Sequence, residues 1–517
     1  VEPVILVHGY SSESAKTTPE AVRQIYGSLP DSLAGLLGPE NVIPVNVSRY
    51  ITLDDGISID DLSLAMDRVI KKDFPNLLDS GFNAIVHSTG ALVTRNWVRR
   101  HSPRPSPLKR IIYLAGANHG SGWAHIGESL VAKWFRLIAQ RSQRGLAVLN
   151  ALELGSSWTI DLHRFFLQYP WNDMLESYRI LEFNLIGSQV PAEWAIIPIR
   201  YGKEDGADGA VRTSSTSLNH AYIHLCPTQT AYDISWDDAK AYAKVIGKRR
   251  TMKSKSVLDD GFYEVCESSI PGTPTISSEH PENIVRKEVP FALVYECAHS
   301  SETVGIVYGS KTRESVLSLI KTALETSLET ASVQSAIERF RAETTATYDK
   351  VRSPEHQERF QRSIQQRFVA KFFNNPYAQY DGHAQVVIRV RDQLGKPVND
   401  FSVYFNSIGG DRGPSDAINS LFEDKHKNIA TPNCITFYLR LTQWDEKKKD
   451  WIDRLPGING VDLEIDGVDR VTGRALYLPL RMRIDSELLC KWLRPHRTTI
   501  LDVELMRIAS NDTFMIY

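Results

Sequence analysis

Short apolar runs alternate with stretches of helical periodicity over about the first 330 residues, the pattern of an α/β fold on a mostly parallel sheet. Val4 to Val7 reads as a buried strand, Pro19 to Leu37 as helix and Val42 to Val47 as the next strand. Ser58 with Asp61 three residues on predicts a capped helix start, and Leu62, Met66, Val69 and Ile70 form its apolar stripe. Ala84 to Val86 is another buried run. From Thr89 the period turns helical, with Val93 and Trp97 on one side. Further strands are expected in "RIIYLAGANHG" (110–120), "RILEFNLIGS" (179–188) and "VPFALVYECAH" (289–299), and "RESVLSLIKTALETSL" closes the series as a helix. The spacing leaves room for a crossover between successive parallel strands.

Two segments interrupt this rhythm. Residues 121–178 are helix-rich and read as a cap over the sheet, whereas 227–288 mix Ser, Pro, Lys and Asp and read as a surface excursion. After about Leu328 come two expected helices, the second opening at Ser353-Pro354. Its Phe360, Ile364, Phe368 and Phe372 recur every four residues as a docking face. From Gln379 the chain reads as all-β, and about six short strands predict an immunoglobulin-like β-sandwich. The expected organisation is an α/β domain over 1–330, a helical connector over 331–378 and a sandwich over 379–517.

Composition narrows the function classes. With 517 residues, two or three domains are expected, and 42% hydrophobic with 24% charged residues is globular. A net charge of −2 offers no general attraction to nucleic acid or anionic membrane. No apolar run is long enough to span a bilayer. The five cysteines (Cys226, Cys266, Cys297, Cys434, Cys490) are spread without metal-ligand spacing, so no disulfide pairing is legible and neither metal nor cofactor is expected. The chain begins almost inside its first strand, as it would if an upstream segment had been removed. The compartment stays open: a soluble protein, with secretion or delivery outside the cell compatible with the sequence.

The chemistry centres on "FNAIVHSTGALVTRNWVRR", where a strand becomes a helix within three residues and Ser88 stands at the corner. Such a turn can expose a nucleophilic hydroxyl. The motif G-x-S-x-G has its second glycine in Gly90 but Val86 in place of the first, so an ordinary strand-end serine is the competing reading. A triad needs a base, an orienting carboxylate and oxyanion donors, in the chain order Ser, Asp, His. The loop His8-Gly9-Tyr10 after the first strand offers the amide of Tyr10, and Thr89 offers the second donor. For the acid, "EDGADGAVRTSS" presents Asp208, with Asp205 three residues earlier in a similar Asp-Gly context. For the base, His299 follows a strand and precedes a helix, whereas His220 and His224 have no strand before them.

Taken together and in order, "PVILVHGY", "IVHSTGALV", "LAGANHGSG", "DGADGAVRTSS" and "CAHSS" resemble the serine lipases and esterases of the α/β-hydrolase superfamily, particularly bacterial lipases and phospholipases. The resemblance covers about residues 1–330. It implies carboxylic-ester hydrolysis with Ser88, Asp208 and His299 as triad, and a structural role for Asn118-His119-Gly120. Val86 departs from the pattern. In the cap, Ile126, Leu130, Trp134 and Ile138 share a helical face widened by Val131 and Phe135, which either packs on the core or lines an acyl pocket. A pocket containing Trp134 and Phe135 would suit a lipid-like ester. An amidase or acyltransferase would use the same triad, and a catalytically dead scaffold is the other alternative. The sandwich is expected to tether the chain to a protein partner or surface.

Overall fold

The structure, a computed structural model, describes residues 2–7, 22, 25–45, 56–125, 146–190, 204–251, 261–277, 284–309, 313–358, 377–409, 416–468 and 475–510. The expectations for Tyr10, for the Trp134 and Phe135 stripe and for the face from Phe360 to Phe372 lie outside these residues. No helix among the described residues is long and apolar enough to cross a membrane. The chain divides into two compact units, one of residues 1–218, 288–381 and 446–450, the other of 219–287, 382–445 and 451–517.

In the first unit, strands β1 (Val4–Val7), β2 (Val42–Val45), β3 (Phe82–His87), β4 (Leu108–Leu114) and β5 (Leu181–Gly187) build a parallel sheet. Its order is β2-β1-β3-β4-β5, closed by a sixth parallel strand, Phe291–Val294. The apolar runs are buried on both faces because helices cover both, as a parallel sheet requires. Helix α1 (Ile59–Asp73) starts at the expected capping box: Ser58 Oγ accepts from the Asp61 amide at 3.3 Å, and Asp61 Oδ2 from the Ser58 amide at 2.9 Å. Helix α2 (Gly90–His101) packs on α1 through polar as well as apolar groups. Asn96 Nδ2 donates to Asp60 at 2.7 Å and to Ser63 at 2.8 Å, and Trp97 Nε1 to Asp67 at 3.1 Å.

The described part of 121–178 holds short helices joined by turns, and its helix α3 (Ser157–Leu167) packs on α2, with the Arg95 guanidinium 4.7 Å from the Phe166 ring centroid. Helices α4 (Glu314–Glu325) and α5 (Thr330–Arg352) follow the last strand of the sheet. Among the described residues that strand pairs on one side only, and α5 bonds to Leu293 on it. Thr344 Oγ1 accepts from the Leu293 amide at 3.0 Å, and Thr347 Oγ1 donates to the Leu293 carbonyl at 2.7 Å. The first helix of the expected connector is therefore part of the α/β unit, where it covers an edge of the sheet.

The second unit corrects the expected boundaries. Residues 221–277 supply three of its strands, β6 (Ala221–Pro227), β7 (Tyr263–Ser269) and β8 (Ile276–Ser277), rather than a surface excursion. The strand Phe291–Val294 of the first unit is β9, and the other strands of the second unit's two larger sheets are β10 (His383–Asp392), β11 (Phe401–Ser407), β12 (Phe422–Lys427), β13 (Cys434–Arg440), β14 (Gly460–Gly467), β15 (Leu480–Asp485) and β16 (Arg497–Leu505). A seven-stranded sheet, β12-β13-β10-β16-β6-β7-β8, and a three-stranded sheet, β11-β14-β15, share one apolar core. This is a two-layer β arrangement, but β10, β16 and β6 run parallel. The antiparallel strand order of an immunoglobulin sandwich is therefore not the one adopted. Cys226 and Cys266 are joined as a disulfide between β6 and β7.

On the face of the large sheet opposite this core, a buried ionic cluster ties the three parallel strands. Asp502 accepts from Arg389 at 2.9 and 2.7 Å, from Arg391 at 3.0 Å and from the Tyr222 hydroxyl at 3.0 Å. Burial pushes its pKa up, but the Arg389 hydrogen bonds and the charges of Arg389 and Arg391 outweigh that, holding it well below the usual carboxylate range. Its contribution to stability is thus present above the unfolded carboxylate pKa of about 4 and is lost as pH falls through the lower folded value. Asp502→Asn removes the bidentate carboxylate from buried Arg389 and is expected to destabilise by about 3–5 kcal/mol, read from urea unfolding at neutral pH. Residues 379–517 expressed alone lack β6 to β8 and expose the flank of β16. We expect no cooperative melt from that fragment, and a sharp transition by circular dichroism would contradict the shared core.

Candidate active site

The sequence HSTG folds as the sharp corner the strand-to-helix switch requires. Ser88 sits at φ 54°, a left-handed conformation rare for a residue with a side chain, and is half-buried. The strained turn is held from both sides: the Ser88 amide donates to the Leu114 carbonyl at 3.3 Å, and the Ser88 carbonyl accepts from Ala91 and Ala117, each at 3.2 Å. Thr89 is the N-cap of α2, where the first amides of a helix lack intrahelical acceptors. Val86, which replaces the expected glycine, is fully buried between Val7 of β1 and Tyr113 of β4, so the sheet accommodates its branched side chain.

Asp208 follows β5 and is fully buried. Its Oδ1 accepts from the amides of Ala210 at 3.0 Å and Val211 at 2.7 Å, as a turn aspartate would. Its Oδ2 lies 2.9 Å from His299 Nδ1. A second bond runs in parallel, from the His299 amide to the Asp208 carbonyl at 2.9 Å. The acid loop is braced by a bidentate pair in which Arg212 Nε and Nη2 donate to Glu204 at 2.8 and 2.7 Å. It is also pinned to the stretch 118–121: Ser215 Oγ donates to the Gly120 carbonyl at 2.6 Å, Asn118 Nδ2 to the Thr216 carbonyl at 2.7 Å and Ser121 Oγ to the Ala210 carbonyl at 2.6 Å. Asp205 stands half-buried in the same loop.

His299 follows Phe291–Val294 and precedes α4, in the loop position anticipated for a base. The carboxylate at Nδ1 requires a proton there, which leaves Nε2 as the basic nitrogen. The residue beside Ser88 reaches the same imidazole: the His87 and His299 ring centroids are 4.6 Å apart, and His87 Nε2 is 3.1 Å from the His299 carbonyl oxygen. His299 and Asp208 thus meet beyond the C-terminal ends of β9 and β5, and His87, the last residue of β3 before Ser88, touches the same histidine. His220 and His224, the competing histidines, belong to the second unit.

Two further residues shape the surroundings of His299. His87 was hidden because its partner lies 212 residues away. At Gly187, an added Cβ would stand 1.7 Å from the Cys297 carbonyl oxygen, so glycine alone lets β5 approach the histidine loop. Its signal was present in "NLIGS", a glycine ending a buried strand. Within that loop Glu296 sits at φ 45°, its amide donating to the Tyr380 hydroxyl at 3.1 Å. Cys297 beside it is fully buried, and burial pushes its thiol up to about 12, so it stays protonated at neutral pH and is no nucleophile.

The fold and this corner together define an α/β-hydrolase architecture. No family model matches the chain, and no curated protein does. Among solved structures, the phospholipase PlaB from Legionella pneumophila in complex with thio-NAD aligns over 100% of this chain and 96% of its own, with TM-score 0.71 and 20% sequence identity. A second structure of phospholipase PlaB from Legionella pneumophila aligns with the same coverage and identity at TM-score 0.70. The similarity in fold thus includes the β-rich C-terminal part as well as the hydrolase core.

Gly187→Ala tests the close approach. Its Cβ must displace the Cys297 carbonyl, so stability is expected to fall by at least about 1–3 kcal/mol. The downfield proton resonance of the His299 Nδ1–H should broaden or vanish. A variant with unchanged melting and an unchanged resonance would show that the loop does not depend on this glycine.

Proposed function

We propose that the chain is a serine hydrolase of carboxylic esters, acting on lipid-like substrates through an acyl-enzyme. The observation that carries this reading is the 2.9 Å bond from His299 to the buried Asp208 carboxylate, beside a serine held at φ 54°. In this mechanism Ser88 Oγ attacks the ester carbonyl while His299 Nε2 takes the hydroxyl proton. Asp208 holds the imidazole in the required tautomer and stabilises its cation. The amides of Thr89 and, from the sequence pattern, Tyr10 are the assigned donors to the developing oxyanion, a charge that exists only in the tetrahedral intermediate. His299 returns the proton to the leaving alcohol, the ester C–O bond breaks, and a water deprotonated by the same imidazole releases the acid.

Lipid esters are favoured by the full-length likeness in fold to a phospholipase, and by the apolar stripe carrying Trp134 and Phe135. Amide hydrolysis and acyl transfer share the triad, so product analysis with a phospholipid, a simple ester and an amide separates the three.

Ser88→Ala is expected to abolish ester hydrolysis and labelling by a fluorophosphonate without altering the melting temperature. His299→Ala should lose nearly as much, because the serine keeps its proton. Asp208→Asn is expected to lower kcat by on the order of 10⁴-fold, whereas Asp205→Asn should change it little. Near-normal turnover by folded Ser88→Ala, or a larger loss at Asp205, would refute the corresponding assignment.

A further inference from the structure

The disulfide of the second unit lies in an environment that a purely covalent staple does not need. On β6, His224 and Cys226 are two residues apart and so project from the same sheet face. On β7 the register slips: His224 pairs with Glu267 and Leu225 with Val265, leaving Cys266 as the extra residue of a β-bulge. A bulge turns a side chain that alternation would send to the other face. Here it brings Cys266 toward His224 and Cys226, and Cys266 Sγ lies 3.4 Å from the His224 carbonyl oxygen. One ligand atom from each of the three side chains falls within 4.8 Å of the others.

We propose that His224, Cys226 and Cys266 bind one zinc-class divalent cation when the Cys226–Cys266 disulfide is open. Bonds of ~2.0–2.3 Å to tetrahedral zinc place neighbouring ligand atoms roughly 3.3–3.8 Å apart, a spacing these groups reach with little movement. The histidine is already oriented for the task. Glu504 Oε1 lies 3.0 Å from His224 Nε2, the carboxylate–imidazole arrangement that orients the ring and leaves the opposite nitrogen for a metal. Nδ1 then faces the metal, and water fills the fourth position. Arg391, 4.0 Å from the same Glu504 oxygen, tempers the carboxylate without supplying a ligand. The site lies in the second unit and is independent of the hydrolytic reading.

The two states of the cysteine pair exclude one another. A phosphine reductant and one water open the disulfide to two thiols and leave as phosphine oxide. The thiols then release two protons to solvent as their thiolates bind the cation, so the cation and its two sulfurs are together neutral. A small-molecule disulfide reverses this, taking up two electrons and two protons as the bridge re-forms and the cation is expelled. Either state clasps β6 to β7.

The test uses the full chain, reduced with a phosphine, desalted without oxygen and titrated with cobalt(II), then with zinc(II). One equivalent of cobalt should give a thiolate-to-metal charge-transfer band that zinc bleaches, and the oxidised chain should give none. Zinc should raise the melting temperature of the reduced chain alone. His224→Gln, which leaves the disulfide intact, should weaken cobalt binding at least 10-fold, and Glu504→Gln by about 10–100-fold. Cys490→Ser, at the exposed free thiol, should leave binding unchanged. Absence of the band with both thiols shown free by thiol titration would overturn the proposal, as would a band that survives His224→Gln at full affinity.

Discussion

A carboxylate without solvent must be answered by donors, and Asp208 organises the first unit on that account. Buried and ionised, it would be prohibitively costly without partners. Its two oxygens are met by the amides of Ala210 and Val211 and by the His299 imidazole. Those donors come from two loops that must meet, so the ends of β5 and β9 are brought together by the same requirement. The Glu204–Arg212 brace and the hydroxyl contacts to residues 118–121 hold the acid loop in that shape. Gly187 removes the one side chain that would keep the loops apart. The stretch Asn118-His119-Gly120 is accordingly a clamp on the acid loop.

The second unit solves a comparable problem with a different element. Asp502 gathers two arginines and a tyrosine from neighbouring strands, and these contacts lie on the opposite face from the apolar core. Parallel strands cannot be joined by tight hairpins. Here β16 lies between β10 and β6, strands far apart in sequence, and the ionic cluster fixes which strands stand side by side. A unit assembled from 219–287 and the C-terminal residues therefore coheres although the chain leaves it to complete the hydrolase sheet. The edge of that sheet shows the same economy: two threonines on α5 satisfy the amide and carbonyl of Leu293.

What the sequence determined by itself is what hydrophobic period and chain order can carry. The buried strands, the capping box at Ser58, the corner at Ser88 and the position of His299 between a strand and a helix are all local, and each lies where the pattern placed it. Tertiary structure alone decided which strands share a sheet, because residues 219–287 and 497–505 carry no mark of pairing with each other. It brought Asp208, one of two aspartates in near-identical Asp-Gly contexts, to an imidazole 91 residues away. The paired cysteines, His87 and the arginines on Asp502 were illegible for that same reason. A side chain's partner across a fold is set by the path of the backbone, and a polar residue reads alike in sequence whether water or a distant charge will satisfy it.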